Sequence, residues 1–196
     1  KGEMACGEFG AGKMSSPRQI YEYVKNYFNK KNLVQKKNWK AIVTTGPTRE
    51  YIDPVRYISN ESSGKQGYEI AIALTKLGIK TTLIAGPSNL IFPKDLKVKN
   101  ITSADEMFNE VRKSLPVDLA ACAAAVSDLK PVDKSENKIK KDDIKLKKIN
   151  LIKNKEIIKY ISKNNKCIPR LIAGFSAETE NVIKNSIDKM KKKHCD

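Results

Sequence analysis

The chain has 196 residues, of which 40% are hydrophobic and 31% are charged, as expected for one globular domain with an additional segment. It lacks an apolar run approaching the roughly 20 residues of a membrane-spanning helix, and its four cysteines lack the CxxC spacing of a zinc site. We therefore expect a cytoplasmic protein with reduced thiols and no membrane partner.

The formal net charge of +16 raises the question of nucleic-acid binding. Lysine outnumbers arginine 33 to 5, whereas proteins that read base edges favour arginine, so we expect no specific nucleic-acid partner. Residues 130–166 carry 13 lysines against five acidic residues, which is half of the surplus charge. This stretch is either a solvated surface or a functional segment.

The first two thirds of the chain alternate between apolar strands and amphipathic helices. The pattern predicts strands at 41–46, 81–86, 98–102 and 118–126, and helices at 62–77 and 104–115, the first of them capped by serines. Continuous apolar strands joined by helices favour a parallel sheet with helices on both faces. We therefore predict an α/β, Rossmann-like fold.

The remaining third is more polar. It contains an alternating segment at 144–149, a predicted helix near 155–164, a strand at 171–175 and a last helix from about residue 181. An α/β sheet usually continues with a strand after such a helix, and the chain does not begin with Met. We therefore expect a piece of a longer protein, truncated at its C-terminus.

Ligands of open α/β sheets bind beyond the carboxyl ends of the strands, so the loops there hold the candidate site residues. The segment NESSGKQG at 60–67 puts Ser62, Ser63 and Gly64 at a helix start, where free amide N–H groups and the helix dipole suit a phosphate. Ordinary helix capping by the serines is the alternative.

Other polar residues near these ends allow two interpretations each. Asp128 follows a buried strand, where a carboxylate meets either a ribose hydroxyl or Mg²⁺, or simply forms a turn. The lysines of 138–141 lie in a long loop without apolar anchors, which is either a mobile lid over a polyphosphate or a solvated loop. Glu178 and Glu180 are either an acid–base pair or ordinary carboxylates at a helix start.

Six segments, in order along the chain, resemble the family of bacterial bifunctional phosphopantothenoylcysteine decarboxylase/phosphopantothenate-cysteine ligases. They read TTGPTREYIDPVRYISNESSGKQGYEIA, LIAGP, AAAVSDLKP, NKIKK, LIKNKEII and AGFSAETEN. The resemblance covers residues 41 to about 193, and the long first segment carries most of its specificity.

The resemblance implies a ligase that joins 4'-phosphopantothenate to L-cysteine, with CTP as co-substrate and Mg²⁺. The carboxylate of phosphopantothenate would attack the α-phosphate of CTP and release pyrophosphate, and the amine of cysteine would then displace CMP from the acyl-cytidylate. Family members outside bacteria can use ATP, so the choice of base stays open. A homodimer formed through the ligase domain is also implied.

The same resemblance assigns roles to single residues. It implies that Lys138 assists formation of the acyl-cytidylate and that Asn60 serves the second step. Arg56 would lie in a loop linked to the acyl substrate and the dimer interface. The nucleotide would contact Ser62, Ser63, Gly64, Ala124, Asp128, Lys138 and Phe175, with Asp128 also the candidate Mg²⁺ ligand.

The domain organisation follows from the resemblance as well. Residues 1–28 resemble the last segment of the decarboxylase domain, in which Cys6 matches a proton-donating cysteine, 29–40 are a linker, and 41–196 are an incomplete ligase domain. FMN would belong to the absent body of the decarboxylase, so we expect neither FMN binding nor decarboxylation.

Two features leave other functions open. The chain reads NKEI at 154–157 where the family has an NPDI-like motif, which affects a loop near the nucleotide. The apparent truncation and the charge of +16 leave two alternatives, a catalytically inactive remnant and a non-catalytic nucleotide- or RNA-binding domain.

Overall fold

A computed structural model describes residues 38–141, 143–163 and 167–196, together with two short strands near the start of the chain. These strands, β1 (Gly2–Glu3) and β2 (Phe9–Gly10), pair antiparallel. The contacts divide the chain into two units, Lys1–Lys36 and Lys37–Asp196. Cys6 lies outside the described residues, and the assignment of the first unit to a decarboxylase domain stays a prediction.

The second unit alternates strands and helices along the chain. The strands are β3 (Lys40–Thr45), β4 (Arg49–Tyr51), β5 (Tyr57–Ser59), β6 (Lys80–Ala85), β7 (Lys97–Asn100), β8 (Leu119–Cys122), β9 (Leu129–Pro131), β10 (Leu151–Lys153) and β11 (Leu171–Gly174). The helices are α1 (Lys65–Lys76), α2 (Ala104–Ser114), α3 (Ile144–Lys147), α4 (Ile157–Lys163) and α5 (Val182–Lys193). None of these described helices is long and apolar enough to cross a membrane.

Five of the strands form one parallel sheet in the order β7–β6–β3–β8–β11. The chain builds outward from β3 in one direction, returns to its other side at β8 and continues to β11. The predicted α/β, Rossmann-like fold is therefore confirmed. Two antiparallel pairs, β4–β5 and β9–β10, lie outside this sheet and have no counterpart in the predicted elements.

Alternating side chains of the strands fill two cores on opposite faces of the sheet. On β3, Val43 packs with Ala71 of α1 on one face, and Ile42 packs with Met107 of α2 and Ile161 of α4 on the other. All five side chains are essentially inaccessible to water. Helices therefore cover both faces of the sheet, which confirms the prediction. The prediction was possible because a strand that is buried on both faces has apolar residues at successive positions.

Helix α1 starts later than its sequence pattern predicts. Its N-cap is Gly64, which adopts the left-handed conformation with φ 72°, and no side chain caps it. The prediction of a serine cap is therefore wrong. Ser62 and Ser63 accept weak hydrogen bonds from the amides of Gly64 and Lys65, at 3.3 and 3.4 Å. A left-handed turn at this point favours glycine, and it redirects the chain into the helix.

The alternating segment near residue 144 also departs from its pattern. Ile144–Lys147 forms the one-turn helix α3, and the nearby strand β10 begins only at Leu151. The side chain of Ile144 is 78% exposed, so no buried sheet face enforces the alternation there.

The packing of α1 on β3 requires a residue without a side chain at Gly67. A Cβ atom there would lie 2.5 Å from Thr45 Oγ1 and 2.9 Å from the Thr44 carbonyl oxygen. Helix propensity favours alanine over glycine by about 1 kcal/mol, but overpacking costs about 1–3 kcal/mol. We expect Gly67→Ala to lower the free energy of unfolding, measured by urea denaturation. The exposed neighbour variant Glu69→Ala should stay within about 0.5 kcal/mol of wild type, and a stabilised Gly67→Ala would contradict the close approach.

Candidate functional site

The carboxyl ends of β3 and β8 mark the point where the strand order reverses, which is where open α/β sheets bind ligands. Beyond the sheet the two chains continue side by side, since Pro47 pairs with Ala125 and the Ala125 amide donates to the Gly46 carbonyl at 2.9 Å. These paired loops form a ridge with a cleft on each side.

The first cleft has a volume of about 390 Å³ and lies between the ends of β8 and β11 and the loop that enters α4. It brings together Ala124, Asp128 and Phe175, three of the residues that the family resemblance assigns to the nucleotide. Phe175 keeps 43% of its surface exposed, so its ring offers an apolar face to a ligand. Cationic side chains of Lys153, Lys155 and Lys193 also line the cleft.

The inner wall of this cleft contains the thiol of Cys122. Burial, with a smaller contribution from Cys195 nearby, raises the pKa of Cys122 to about 12. The thiol is therefore uncharged at neutral pH, and the cleft offers no thiolate nucleophile from this position.

Hydrogen bonds hold the loop that carries NKEI in place of the family's proline-containing motif. The Asn154 amide donates to the Asp128 carbonyl at 2.8 Å, and Asn154 Nδ2 donates to the Ser127 carbonyl at 2.9 Å. Lys155, which stands at the position of the proline, pairs with Asp105 at 3.3 Å and lies 5.0 Å from the Phe108 ring centre. The loop is thus restrained without proline.

The second cleft has a volume of about 930 Å³ and lies between the loops that follow β3, β5 and β6. Asn60, Ser62 and Ser63 line it, together with the cationic residues Arg49 and Lys65. The cleft also borders the N-terminus of α1, whose first amides and dipole favour an anion. Its chemistry suits a phosphate group.

Asn60 connects the two clefts. Its Nδ2 atom donates to the Val126 carbonyl at 3.0 Å, and Val126 lines the first cleft whereas Asn60 lines the second. The side chain therefore crosses the ridge, and a ligand that spans both clefts would pass over it.

Two of the residues that were predicted to contact the nucleotide, Gly64 and Lys138, are not part of the lining of either cleft. Gly64 is buried beneath the second cleft, and its backbone approaches Gly46 so closely that a Cβ atom would lie 3.3 Å from it. Lys138 is exposed, but the expected absence of apolar anchors in its loop is wrong, because Ile139 is only 9% exposed. The segment is fastened to the protein directly beside the lysine.

The proposed acid–base pair after β11 lines neither cleft either. Glu178 forms an ion pair with Lys189 and accepts a hydrogen bond from Ser176 Oγ at 2.9 Å. These bonds, that of Lys189 first, lower the pKa of Glu178. The carboxylate of Glu178 connects the loop to α5, and an acid–base role of Glu178 and Glu180 stays a prediction.

A metal ion would find few protein ligands here. Across the described ranges, no group of three or more His, Cys, Asp or Glu side chains could hold one. Mg²⁺ is commonly bound by one or two carboxylates together with substrate phosphates. The two carboxylates that line the first cleft, Asp128 and Glu156, therefore fit an ion that arrives with a polyphosphate.

Several cleft residues lie within the segments that resemble the family but were not predicted as site residues. Lys153 and Lys155 reach the first cleft because β9 and β10 pair, and Arg49 and Tyr57 reach the second because β4 and β5 pair. The Arg49 guanidinium lies 4.7 Å from the Tyr57 ring centre. Pairing of three-residue strands leaves too little periodicity to be predicted.

Comparison with known proteins identifies the family. Residues 36–196 match the family model of the DNA/pantothenate metabolism flavoprotein C-terminal domain. The whole chain is 42% identical over 198 aligned residues to the coenzyme A biosynthesis bifunctional protein CoaBC of Haemophilus influenzae, of which it covers 48%. The chain thus spans about half the length of the curated relatives it matches.

Solved structures agree with this assignment. The crystal structure of the C-terminal domain of a CoaBC protein is 33% identical, with a TM-score of 0.69 over 80% of this chain and 74% of that one. A Cab2 H337A mutant in complex with phosphopantothenate-cysteine has the same fold at 17% identity, with a TM-score of 0.63 over 92% of this chain and 79% of that one. The chain belongs to the family of the DNA/pantothenate metabolism flavoprotein C-terminal domain.

Proposed function

We propose that this chain carries the phosphopantothenate-cysteine ligase activity of a coenzyme A biosynthesis protein, using CTP and Mg²⁺. The observation that carries the proposal is the first cleft. Ala124 and Asp128 come from one segment of the sequence and Phe175 from another, yet all three line one cavity at the switch point of the sheet. The names of the relatives support the same pathway.

The first cleft suits the base and ribose of the nucleotide. The exposed ring of Phe175 provides a stacking surface, and Asp128 provides an acceptor for a ribose hydroxyl or a ligand for the metal ion. The three lysines Lys153, Lys155 and Lys193 outnumber the two carboxylates that line the cleft, and the excess of positive charge favours a nucleoside triphosphate over an uncharged ligand.

The second cleft suits the phosphate groups that react and the substrate that attacks them. Ser62, Ser63 and the start of α1 offer hydrogen-bond donors, and Arg49 and Lys65 offer cations. Asn60 lies between the clefts, and an amide both donates and accepts hydrogen bonds without adding charge. It is therefore suited to the oxygens of an acyl-cytidylate in the second step.

The reaction needs neutralisation of charge more than covalent help from the protein. In the first step, a carboxylate oxygen bonds to the α-phosphorus of CTP, the bond to the β-phosphate oxygen breaks, and pyrophosphate leaves. In the second step, the cysteine amine bonds to the acyl carbon, CMP leaves, and the amine loses a proton. Mg²⁺ with Asp128 and lysine from the 138–141 segment would offset the repulsion between the anions of the first step.

We expect Lys138→Gln to abolish the first step, because the glutamine keeps most of the length but loses the charge. The measurement is release of pyrophosphate from CTP, with phosphopantothenate and Mg²⁺ and without cysteine. The matched control is Lys148→Gln, an exposed lysine in the same basic stretch. Equal activity of the two variants would contradict the role of Lys138, and no pyrophosphate release by the wild-type chain would contradict the proposed function.

We expect Phe175→Ala to weaken nucleotide binding, because the ring provides the apolar face of the first cleft. Loss of one base–aromatic contact costs about 1–3 kcal/mol, so the Kd of Mg-CTP should rise roughly tenfold or more, as measured by calorimetry. The control Ile91→Ala removes a side chain that is 91% exposed and lines neither cleft. An unchanged Kd for Phe175→Ala would place the base elsewhere.

We also propose a homodimer formed through this unit. Leu129, Val132, Leu151 and Ile152 expose 38–48% of their surfaces on or beside the β9–β10 pair, which is unusual for four neighbouring apolar side chains. Sedimentation equilibrium should give twice the mass of one chain, and Leu151→Lys should shift the equilibrium toward the monomer. A monomeric wild-type chain at micromolar concentration would contradict this.

The alternatives make different predictions in the same assays. An inactive remnant would bind Mg-CTP without releasing pyrophosphate. A nucleic-acid-binding domain would bind RNA tightly, with an affinity that falls steeply with salt concentration.

A further inference from the structure

A buried carboxylate joins two loops that lie far apart in the sequence. The Asp53 side chain is inaccessible to solvent, yet the resemblance to known proteins gives it no chemical task. Its Oδ1 accepts hydrogen bonds from the Val55 and Arg56 amides, both at 2.8 Å. Its Oδ2 accepts from Arg56 Nη1 at 2.9 Å and from the Ile139 amide at 3.2 Å. The carboxylate therefore has four donors.

Asp53 and Arg56 both form hydrogen bonds with the backbone of Ile139, the residue that follows Lys138. Asp53 binds the amide of Ile139, and Arg56 Nη1 donates to the carbonyl of the same residue at 3.3 Å. A third bond lies a few residues upstream, where the Ser135 amide donates to the Ile52 carbonyl at 2.9 Å. The segment 135–139 is thus attached to the turn 52–56 at both of its ends.

The carboxylate is charged when it makes these bonds. Burial alone would raise the pKa of Asp53, but the amide hydrogen bonds of Val55, Arg56 and Ile139, together with the Arg56 charge, lower the pKa below its usual value. Because the pKa of Asp53 is lower in the folded than in the unfolded protein, ionisation of this carboxyl stabilises the fold at pH values above the unfolded pKa of about 3.9. This contribution to the free energy of unfolding is lost as the pH falls through the folded-state pKa. The attachment therefore persists at neutral and mildly acidic pH.

Asn60 is held by other bonds, although it follows the same turn. Ser59 Oγ donates to the Thr48 carbonyl at 2.7 Å, and Asn60 itself bonds to Val126. Loss of the Asp53 carboxylate should therefore affect the position of Lys138 more than that of Asn60.

We propose that Asp53 is a positioning residue for Lys138, and so acts on the first of the two chemical steps only. This inference rests on the proposed function. The carboxylate contacts no substrate. It fixes the peptide beside Lys138, so that the ammonium group reaches the reacting phosphate without a search through many conformations of the loop.

The attachment can be tested without any substrate. In Asp53→Asn, an uncharged amide of equal size replaces a charged acceptor, and we expect the Ile139 amide to exchange with deuterium about tenfold faster or more. The matched control is Glu50→Gln, which alters another buried carboxylate of the same loop, one that accepts from the Ala104 amide at 2.9 Å. It should change the exchange of Ile139 by less than about twofold. Unchanged exchange in Asp53→Asn would overturn the attachment.

The role in positioning is tested by separating the two steps. We expect Asp53→Asn to slow single-turnover pyrophosphate release by about 10²-fold, with the Kd of Mg-CTP changed less than about twofold. Conversion of synthetic acyl-cytidylate by cysteine should keep its wild-type rate. Equal slowing of both steps would indicate a general structural defect and overturn the proposal.

Two further outcomes are distinguishable. If the wild-type chain releases no pyrophosphate, the proposed function fails while the exchange experiment still tests the attachment. If Asp53→Asn does not fold, as judged by circular dichroism, Ile139→Ala loosens the same peptide by removing its buried side chain. In Ile139→Ala we then expect slower pyrophosphate release with an unchanged rate of the second step. If both steps keep their wild-type rates, or both are slowed equally, the proposal is overturned.

Discussion

The architecture of the site depends on how the buried backbone amides beyond the end of the sheet are hydrogen-bonded. Where no neighbouring strand offers them a carbonyl oxygen, they need other acceptors, such as side chains. Three buried side chains of the segment 48–53, which follows β3 and includes β4, supply them. Thr48 Oγ1 accepts from the Ser127 amide at 3.0 Å, Glu50 accepts from Ala104, and Asp53 accepts from Ile139. Each bond joins this loop to a different part of the chain. An unpaired buried amide would cost about 1–3 kcal/mol, so these acceptors fix the loops around both clefts.

These contacts change the meaning of the longest family segment. Two of its charged residues, Glu50 and Asp53, are buried, at 4% and 0% exposure, and most of their hydrogen bonds are to backbone amides. Arg49 and the stretch from Asn60 to Lys65 line the second cleft with side chains that a phosphate could contact. A specific sequence motif therefore identified the family chiefly because it encodes a particular loop structure, and the residues suited to chemistry are a minority within it.

The sequence predicted the sheet well and the surroundings of the site poorly, for a physical reason. A strand such as β3 is buried on both faces, so its apolar run and its neighbouring helix are visible as patterns. The pairs β4–β5 and β9–β10 have three residues per strand, which is too short for a periodic pattern to be visible in the sequence. Local preference also failed at the start of α1, where the left-handed Gly64 replaced the expected serine cap. The family resemblance grouped Ala124, Asp128 and Phe175 into one site, and they line one cleft in the structure. Periodicity alone could not have grouped them.

The abundant lysines serve different purposes, which composition cannot separate. Lys130 and Lys155 both pair with Asp105 and lower the pKa of that carboxyl, the Lys130 hydrogen bond most strongly. They link α2 to the loops of the first cleft, and Lys155 does so at the position where the family resemblance implies a proline. Because its side chain is 58% exposed, solvent and salt weaken this link more than they would weaken a ring constraint. In this chain the shape of the first cleft therefore depends partly on electrostatics, so the excess of lysine contributes to the geometry of the site as well as to its charge.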